Sequence, residues 1–469
     1  MVSILRAFPR QWRADAMVGA SCAMLVALVC YEVTRALDVR WLDEARGDDV
    51  WFEGDLARIF GEMTNRHAAH WRATVHPLFS LFTVVPMYAL RSVGCSPLVA
   101  MATIVASTAG GWTLTLYLLM RMLRLSRGEA VLFTAVGVTS AAGMFWLIVP
   151  ESYALGSTTM LAALVLAGLA QGRDVRTGWF AVASAATLSV TVTNWVAGIL
   201  ATLSAYSWRR TAQITANAFV VVVLAWAVQR AVVPRADFFV GYNRNEQRYL
   251  FRPETGGSGP ILRALFVHAI VMPQIATTQK PRRGTVLTVQ RSAIGSTGII
   301  GWIATACWAA LLLAGGWGLL RSLRDSDRLP RTIALVLVAE VLLHLVYGTE
   351  TFLYTLNVAP LLIAIAAVGI RTRKRWVLAL ACALVVSGTI NNGLQWRRAQ
   401  RFWSDASPVA SRFQIFHGAS PWLSNLRRAS LSLGVSMHAQ NPSCRYPRSC
   451  PRATRRRKTA PTRSSPGSM

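Results

Sequence analysis

Apolar stretches recur along this chain from Met17 to Trp396, and short polar or basic segments separate them. The runs lie at Ala16–Thr34, Pro77–Leu90, Pro97–Leu119, Ala130–Val149, Tyr153–Ala170, Trp179–Tyr206, Ile214–Val233, Ile299–Leu320, Ile333–Tyr347, Leu353–Ile370 and Trp376–Ile390. They are too long and too poor in charge for helices with one face in water. The pattern therefore predicts an all-α protein, a polytopic transmembrane helical bundle of about eleven spans. Trp179–Tyr206 is long enough for a tight helical pair that turns near Thr193-Asn194.

Two long polar segments interrupt the runs, about 38–75 and 234–296. The first is acidic and contains Asp55-Leu56-Ala57-Arg58-Ile59-Phe60-Gly61-Glu62-Met63. At helical spacing Leu56, Ile59, Phe60 and Met63 share one side, and Asp55, Arg58 and Glu62 the other. This predicts an amphipathic juxtamembrane helix lying on the membrane surface.

Charge orients the bundle. Lys and Arg number 49 against 21 Asp and Glu, yet they gather in short clusters between the runs and in the last segment, not in one stripe. That distribution reads as topology and excludes a nucleic-acid footprint. Placing Arg121–Arg127, Arg173–Arg176, Arg209-Arg210, Arg321–Arg331 and Arg371–Arg375 in the cytoplasm makes both long loops external, together with Pro150-Glu151 and Gly348–Glu350. Residues 77–120 must then make one net crossing, with part of the stretch re-entrant or interfacial. The predicted location is the inner, cytoplasmic membrane, multi-pass, with the first helix retained and not cleaved as a signal peptide. Residues 1–396 form the membrane domain. Residues 397–469 are basic, lack acids after Asp405 and read as a largely disordered tail. Cys22, Cys30, Cys95, Cys307 and Cys382 lie in or beside apolar runs as packing residues; Cys444 and Cys450 lie in the tail.

Candidate chemistry sits at the external face, because few ionisable groups fall inside the runs: Glu32, and Glu340 with His344. Asp55 on the surface helix, with Arg58 and Met63 after it, precedes His76-Pro77-Leu78 at the start of the next run, and Glu350-x-x-x-Tyr354 is followed by Pro360. This constellation resembles the GT-C glycosyltransferases, in particular the protein O-mannosyltransferase and aminoarabinose transferase group. The chain has Asp55-Leu56 where that group often has Asp-Glu, Leu78 in place of a second proline, and Thr351 where arginine is common. The resemblance implies a glycosyltransferase, an enzyme that moves a sugar from a polyprenyl-phosphate donor to a lipid, glycan or protein acceptor on the periplasmic face.

Within that reading Asp55 is the candidate base, and Glu151 is a candidate second acid. Arg58, His76, Glu350 and Tyr354 are candidate substrate contacts. Arg244, Arg248 and Arg252, spaced four apart, would share one helical face and hold the donor phosphate with planar guanidinium forks. Each has a plainer reading: an ion pair between Asp55 and Arg58, a helix start at Glu151, an interfacial imidazole at His76, lipid headgroups on the arginines. Glu53 and Asp48-Asp49 compete with Asp55 for its role, and the acidic pair Asp48-Asp49 would supply oxygen ligands if a divalent metal, Mg²⁺ or Mn²⁺, takes part; the sequence fixes no cofactor. Membrane lipids are expected partners and nucleic acid is not. The competing functions are a multispanning transporter or flippase, which needs polar groups at mid-membrane, and a polysaccharide polymerase or ligase, which would use Arg244–Arg252 with His268.

Overall fold

The computed structural model describes residues 10–43, 49–241, 244–280, 284–324 and 327–405; the expected tail from 406 onward and Asp48 lie outside them. Helices dominate. In chain order they are α1 (Arg10–Arg35), α2 (Leu56–Thr64), α3 (Phe79–Ser92), α4 (Pro97–Met122), α5 (Arg127–Thr139), α6 (Ala141–Trp146), α7 (Ser152–Leu169), α8 (Thr177–Val190) and α9 (Trp195–Ala205). There follow α10 (Trp208–Val232), α11 (Arg244–Gln247), α12 (Ser258–Arg263), α13 (Ile299–Ser322), α14 (Arg328–Val346), α15 (Thr355–Val368) and α16 (Ile370–Asp405). The helix α16 thus continues past the expected boundary at 396. One antiparallel hairpin, β1 (Ala276–Lys280) with β2 (Gly284–Thr288), stands in the second long loop.

Among the described residues eight helices have the length and apolarity to cross a bilayer, short of the expected number of about eleven. The shortfall has local causes. Helices α8 and α9 have 14 and 11 residues, or about 21 and 16 Å at 1.5 Å per residue, against a hydrocarbon core of about 30 Å. Their turn is thus recessed, and the segment before α3 covers it: Leu78 N–H donates to Ser189 O (2.7 Å) and Val192 N–H to Val75 O (3.0 Å). The run Ala130–Val149 is broken at Ser140, whose hydroxyl accepts from Gly143 N–H (3.0 Å) and caps α6. The second loop enters that break, where Ala141 and Ala142 N–H donate to Ile270 and Ala269 carbonyls (both 2.9 Å).

The first passage pairs α1 with α4 in opposite directions, since Asp15 at the start of α1 meets Arg121 (3.0 Å) at the end of α4, and Arg127 (2.7 Å). Helix α3, with 14 residues, is not among the helices long enough to cross. Met87 near its end packs in one cluster with Leu42, Ile59 and Met63 of the first loop and with Ala100 and Met101 at the start of α4. Residues 77–120 therefore contain one helix, α4, with the length and apolarity to cross a bilayer. The described stretches of both long loops gather at one end of the bundle, and the basic helix ends gather at the other.

Helix α15 is the axis: every residue in it is buried. Lipid tails are as apolar as leucine, so such packing relies on close fit and on polar groups that find partners. Asn391 and Asn392 of α16 supply the latter. Asn392 Oδ1 accepts from Met272 N–H (2.8 Å) while its Nδ2 donates to Thr139 O (2.8 Å) and Ile270 O (2.9 Å), and Asn391 Nδ2 donates to Met272 O (2.8 Å). This knot fixes the second loop to α5 and α16.

Candidate active site

The site begins with a strained turn. Asp49, Phe52 and Glu53 all adopt positive φ (64°, 50° and 61°), a region non-glycine residues rarely occupy. Packing over-determines it. Phe52 and Trp51 are buried in an aromatic floor with Phe145, Trp146, Phe352 and Trp396, where neighbouring ring centroids lie 5.1–6.3 Å apart. Trp146 Nε1 donates to Phe352 O (3.0 Å). The loop hairpin docks here too, through Leu287 N–H to Val50 O (2.9 Å) and an ion pair between Lys280 and Glu53.

From this turn Asp55 enters at the amino end of α2, which forms at the predicted place with Leu56, Ile59 and Met63 buried. The Asp55 carboxylate meets two guanidiniums, Arg58 in a short contact and Arg72 at 3.3 Å. Arg58 also binds Glu62 (2.7 Å), and Arg72 binds Glu246 (2.8 Å), which accepts from Tyr347 O–H. Trp71 lies between the two arginines, 5.5 Å from Arg58 and 5.2 Å from Arg72. Both arginines are mostly buried, and their Nε–H groups have no acceptor among the described residues. The two guanidiniums hold the Asp55 carboxyl well below the usual carboxylate range, overriding the opposing effect of its burial.

Glu151 belongs to the same cluster. Its Oε1 accepts from Asp55 N–H (2.7 Å) and its Oε2 from Ser152 N–H (2.8 Å), so it caps α7 and fastens α2 to it. Burial, and then repulsion from Asp55, push this carboxyl upward. The two acids thus diverge: Asp55 is held ionised by cations, while Glu151 favours its proton.

His76 is buried one step away. Its Nδ1–H donates to Val190 O (2.8 Å), and its Nε2 accepts from Ser152 O–H (3.4 Å). Burial and the nearby Arg72 charge push its pKa down, so the ring is neutral. It meets the candidate acids through Ser152, not by a direct bond to Asp55. Glu350 sits in a neighbouring group with Thr288, Glu53 and Lys280; Thr288 O–H donates to its Oε2, and its Oε1 has no partner among the described residues. Burial raises its pKa. Tyr354 is buried, edge-on to Tyr153 (5.5 Å) and stacked on His344 (4.3 Å).

The arginines of the second loop do not form the expected face. Helix α11 ends at Gln247, and the chain turns at once, with Tyr249 N–H bonded to Glu246 O (3.0 Å). Arg248 is exposed, and Arg252 pairs with Glu254 (2.7 Å); the side chain of Arg244 lies outside what is described. The correction is physical: four-residue spacing aligns side chains only on a continuous helix. The second cation beside Asp55, after Arg58, is Arg72, which sequence reading missed, as it missed Glu246 and Tyr347. The available signal was Arg72's place between Trp71 and His76, in a segment otherwise apolar.

No group of three or more His, Cys, Asp or Glu suited to a metal ion occurs among the described residues. Near Asp55, Glu62 and Glu246 are engaged by guanidiniums, Glu246 also by Tyr347, Glu151 by two backbone amides, and Asp49 by Asp55 itself, so the described residues offer a divalent ion no ready ligand set. His268, central to the ligase reading, is buried in a π-helical turn.

An apolar groove of about 160 Å³ leads away from the cluster between α2, α3, α4 and α7. Met63, Phe79, Phe82, Val105 and Leu155 line it, and Glu151 is the one charged side chain in its wall. Phe82 is 44% exposed on the bundle surface.

No family model matches the chain, and no curated protein matches it in sequence. Two solved structures match in shape. The first is the archaeal oligosaccharyltransferase AglB from Archaeoglobus fulgidus in complex with an inhibitory peptide and a dolichol-phosphate, with TM-score 0.42 and 11% identity over 84% of this chain and 59% of that one. The second is the Archaeoglobus fulgidus oligosaccharyltransferase tethered to an acceptor peptide by a disulfide, with TM-score 0.39 and 11% identity over 84% and 58%. The chain thus spans less than two thirds of the length of either.

Proposed function

We propose that this protein is a membrane glycosyltransferase that takes a sugar from a polyprenyl-phosphate donor and passes it to an acceptor hydroxyl or phosphate at the external face of the cytoplasmic membrane. One observation carries the reading. Asp55, a half-buried carboxylate gripped by two guanidiniums, is hydrogen-bonded through its N–H to Glu151, the one charged side chain in the wall of an apolar groove that reaches the bundle surface at Phe82. That pairing suits a substrate with a phosphate head and a hydrocarbon tail.

The chemistry follows from the geometry. Guanidinium forks bind phosphate oxygens in pairs. A donor phosphate reaching Arg58 and Arg72 competes with Asp55 for them, and loss of those contacts raises the basicity of Asp55. The freed carboxylate takes the proton of the acceptor hydroxyl as its oxygen attacks the anomeric carbon. The bond from that carbon to the phosphate oxygen breaks, the anomeric configuration inverts, and the polyprenyl phosphate leaves with its new charge on the same arginines. Glu151 holds the amide of Asp55 and sets the angle of α2. The tyrosines Tyr153, Tyr347 and Tyr354 present an aromatic wall for the sugar.

Glycan profiling of cells with and without the protein tests this function. The expected result is one glycan class lacking a single sugar in the deletion, restored by the intact gene. Unchanged glycans, with a defect in uptake or flipping of a lipid-linked substrate, would instead establish the transporter reading.

A further inference from the structure

At the basic end of the bundle, opposite Asp55, helices α4, α7 and α9 end and α14 and α16 begin around a cavity of about 530 Å³. Small side chains at the helix ends, Ala170 and Ser204 among them, leave the space unfilled. Among the described residues three arginines line it, Arg124, Arg328 and Arg371, with one carboxylate, Asp327.

That carboxylate is committed. Asp327 pairs with Arg371 at 2.8 Å. Arg371 also reaches Leu123 O (3.3 Å), and Arg328 donates to Ser204 O (3.2 Å). The Arg124 guanidinium has no hydrogen-bond or ion-pair partner among the described residues. A guanidinium carries five N–H donors, so most of those facing the cavity are unspent. With Asp327 paired to Arg371, the two remaining guanidiniums leave the mouth of the cavity positive and open to an anion from solvent.

Backbone conformation is an independent sign. Helix α4 closes with Arg124 N–H bonded to Arg121 O (3.0 Å) and Leu125 N–H to Met120 O (3.3 Å), which puts Arg124 at φ 67°. In this closure the left-handed position usually belongs to glycine. A cation at this end of the helix gains from the helix dipole, but arginine lacks the glycine's freedom at this φ, so the position carries strain.

We propose that this cavity binds a phosphate-bearing anion through Arg124, Arg328 and Arg371, at the end of the bundle away from the transfer site. The ligand is a phosphomonoester or an anionic phosphodiester, free or as a lipid headgroup. The site stands apart from the glycosyl-transfer reading and survives its failure.

The test uses the full chain in detergent, with three probes: inorganic phosphate, phosphatidylglycerol and phosphatidylcholine. Lipid retention is read by native mass spectrometry and the effect of inorganic phosphate by melting temperature. Arg124→Gly relieves the left-handed strain, so the variant folds at least as well as the parent; Arg328→Gln is the second variant, and Arg209→Gln, exposed and outside the cavity, is the control. Phosphatidylglycerol retained over phosphatidylcholine, with the preference reduced about tenfold by Arg124→Gly and by Arg328→Gln but not by Arg209→Gln, supports the site. A melting shift with inorganic phosphate that both variants lose identifies a free phosphate as ligand; lipid preference without that shift identifies a headgroup. Equal retention of the two lipids with no phosphate shift overturns the proposal, as does a preference that the two variants leave intact.

Discussion

Asp55 is flanked by Arg58 and Arg72, and the two arginines do different work. Arg58 belongs to the same helix as Asp55 and Glu62, and the pairing follows from their spacing. Arg72 comes from beyond the helix and links Asp55 to Glu246 in the other long loop. Removing it leaves two half-buried carboxylates facing one cation fewer, so Arg72→Ala is expected to cost about 1–3 kcal/mol of stability. Arg72→Lys keeps the charge and loses the fork; it is expected to fold, with KM for the donor raised more than kcat is lowered. Thermal melts and steady-state kinetics of the pair check this. A second prediction concerns pH. The folded state raises the Glu151 pKa, so it binds a proton more readily than the unfolded chain does, and its contribution to stability is lost as pH rises above the ordinary carboxylate range. Glu151→Gln keeps the acceptor for Asp55 N–H and is expected to flatten the fall in melting temperature between mildly acidic and neutral pH. An identical pH slope in parent and variant would refute that assignment. Asp55, Arg58 and Glu151 were legible because local spacing or a helix boundary marks them. Arg72, Glu246 and Tyr347 were not, because nothing local says that residues so far apart share an ion pair.

At the scale of elements, hydrophobic periodicity located the helices, and capping chemistry decided where they stop. The amphipathic α2 was readable from one turn of spacing. The break at Ser140 was not, since an apolar run carries no mark of the loop that enters it. Nor was the short helix α11, whose arginines looked aligned only on the assumption of a longer one. Polar side chains inside apolar runs prove to be joints: Asn392 serves three backbone groups. Asn392→Leu would strand them, at about 1–3 kcal/mol for each group left unpaired. The expected outcome is a lower melting temperature and faster proteolysis in the second loop. Gly348 is a similar joint. It has φ 106°, and a Cβ there would lie 2.6 Å from the Tyr354 ring. Gly348→Ala is therefore expected to displace Tyr347 and Tyr354 together, lowering transfer and protein yield.

For the molecule as a whole, the sequence marks two faces and the fold keeps them apart. The described parts of the acidic first loop, the hairpin and the aromatic floor share one end; Asp15, Arg121, Arg328 and Arg371 share the other. Charge bias assigns the first end to the outside, and α4 is the one helix in residues 77–120 with the length and apolarity to cross. In a background without native cysteines, an impermeant maleimide is expected to label Ala276→Cys on intact cells and Arg209→Cys only after permeabilisation. The reverse pattern would turn the whole bundle over.

The account depends on Asp55 acting as the base for sugar transfer, and Asp55→Asn replaces the carboxylate with a near-isosteric group that takes no proton. The measurement is transfer from a radiolabelled polyprenyl-phosphate sugar to acceptor by the purified protein in liposomes, parent against Asp55→Asn, with donor retention recorded alongside. The account predicts a fall in turnover of about 10²–10⁴-fold with the donor still bound. Turnover within a few-fold of the parent, by a variant that is folded and inserted, would contradict it.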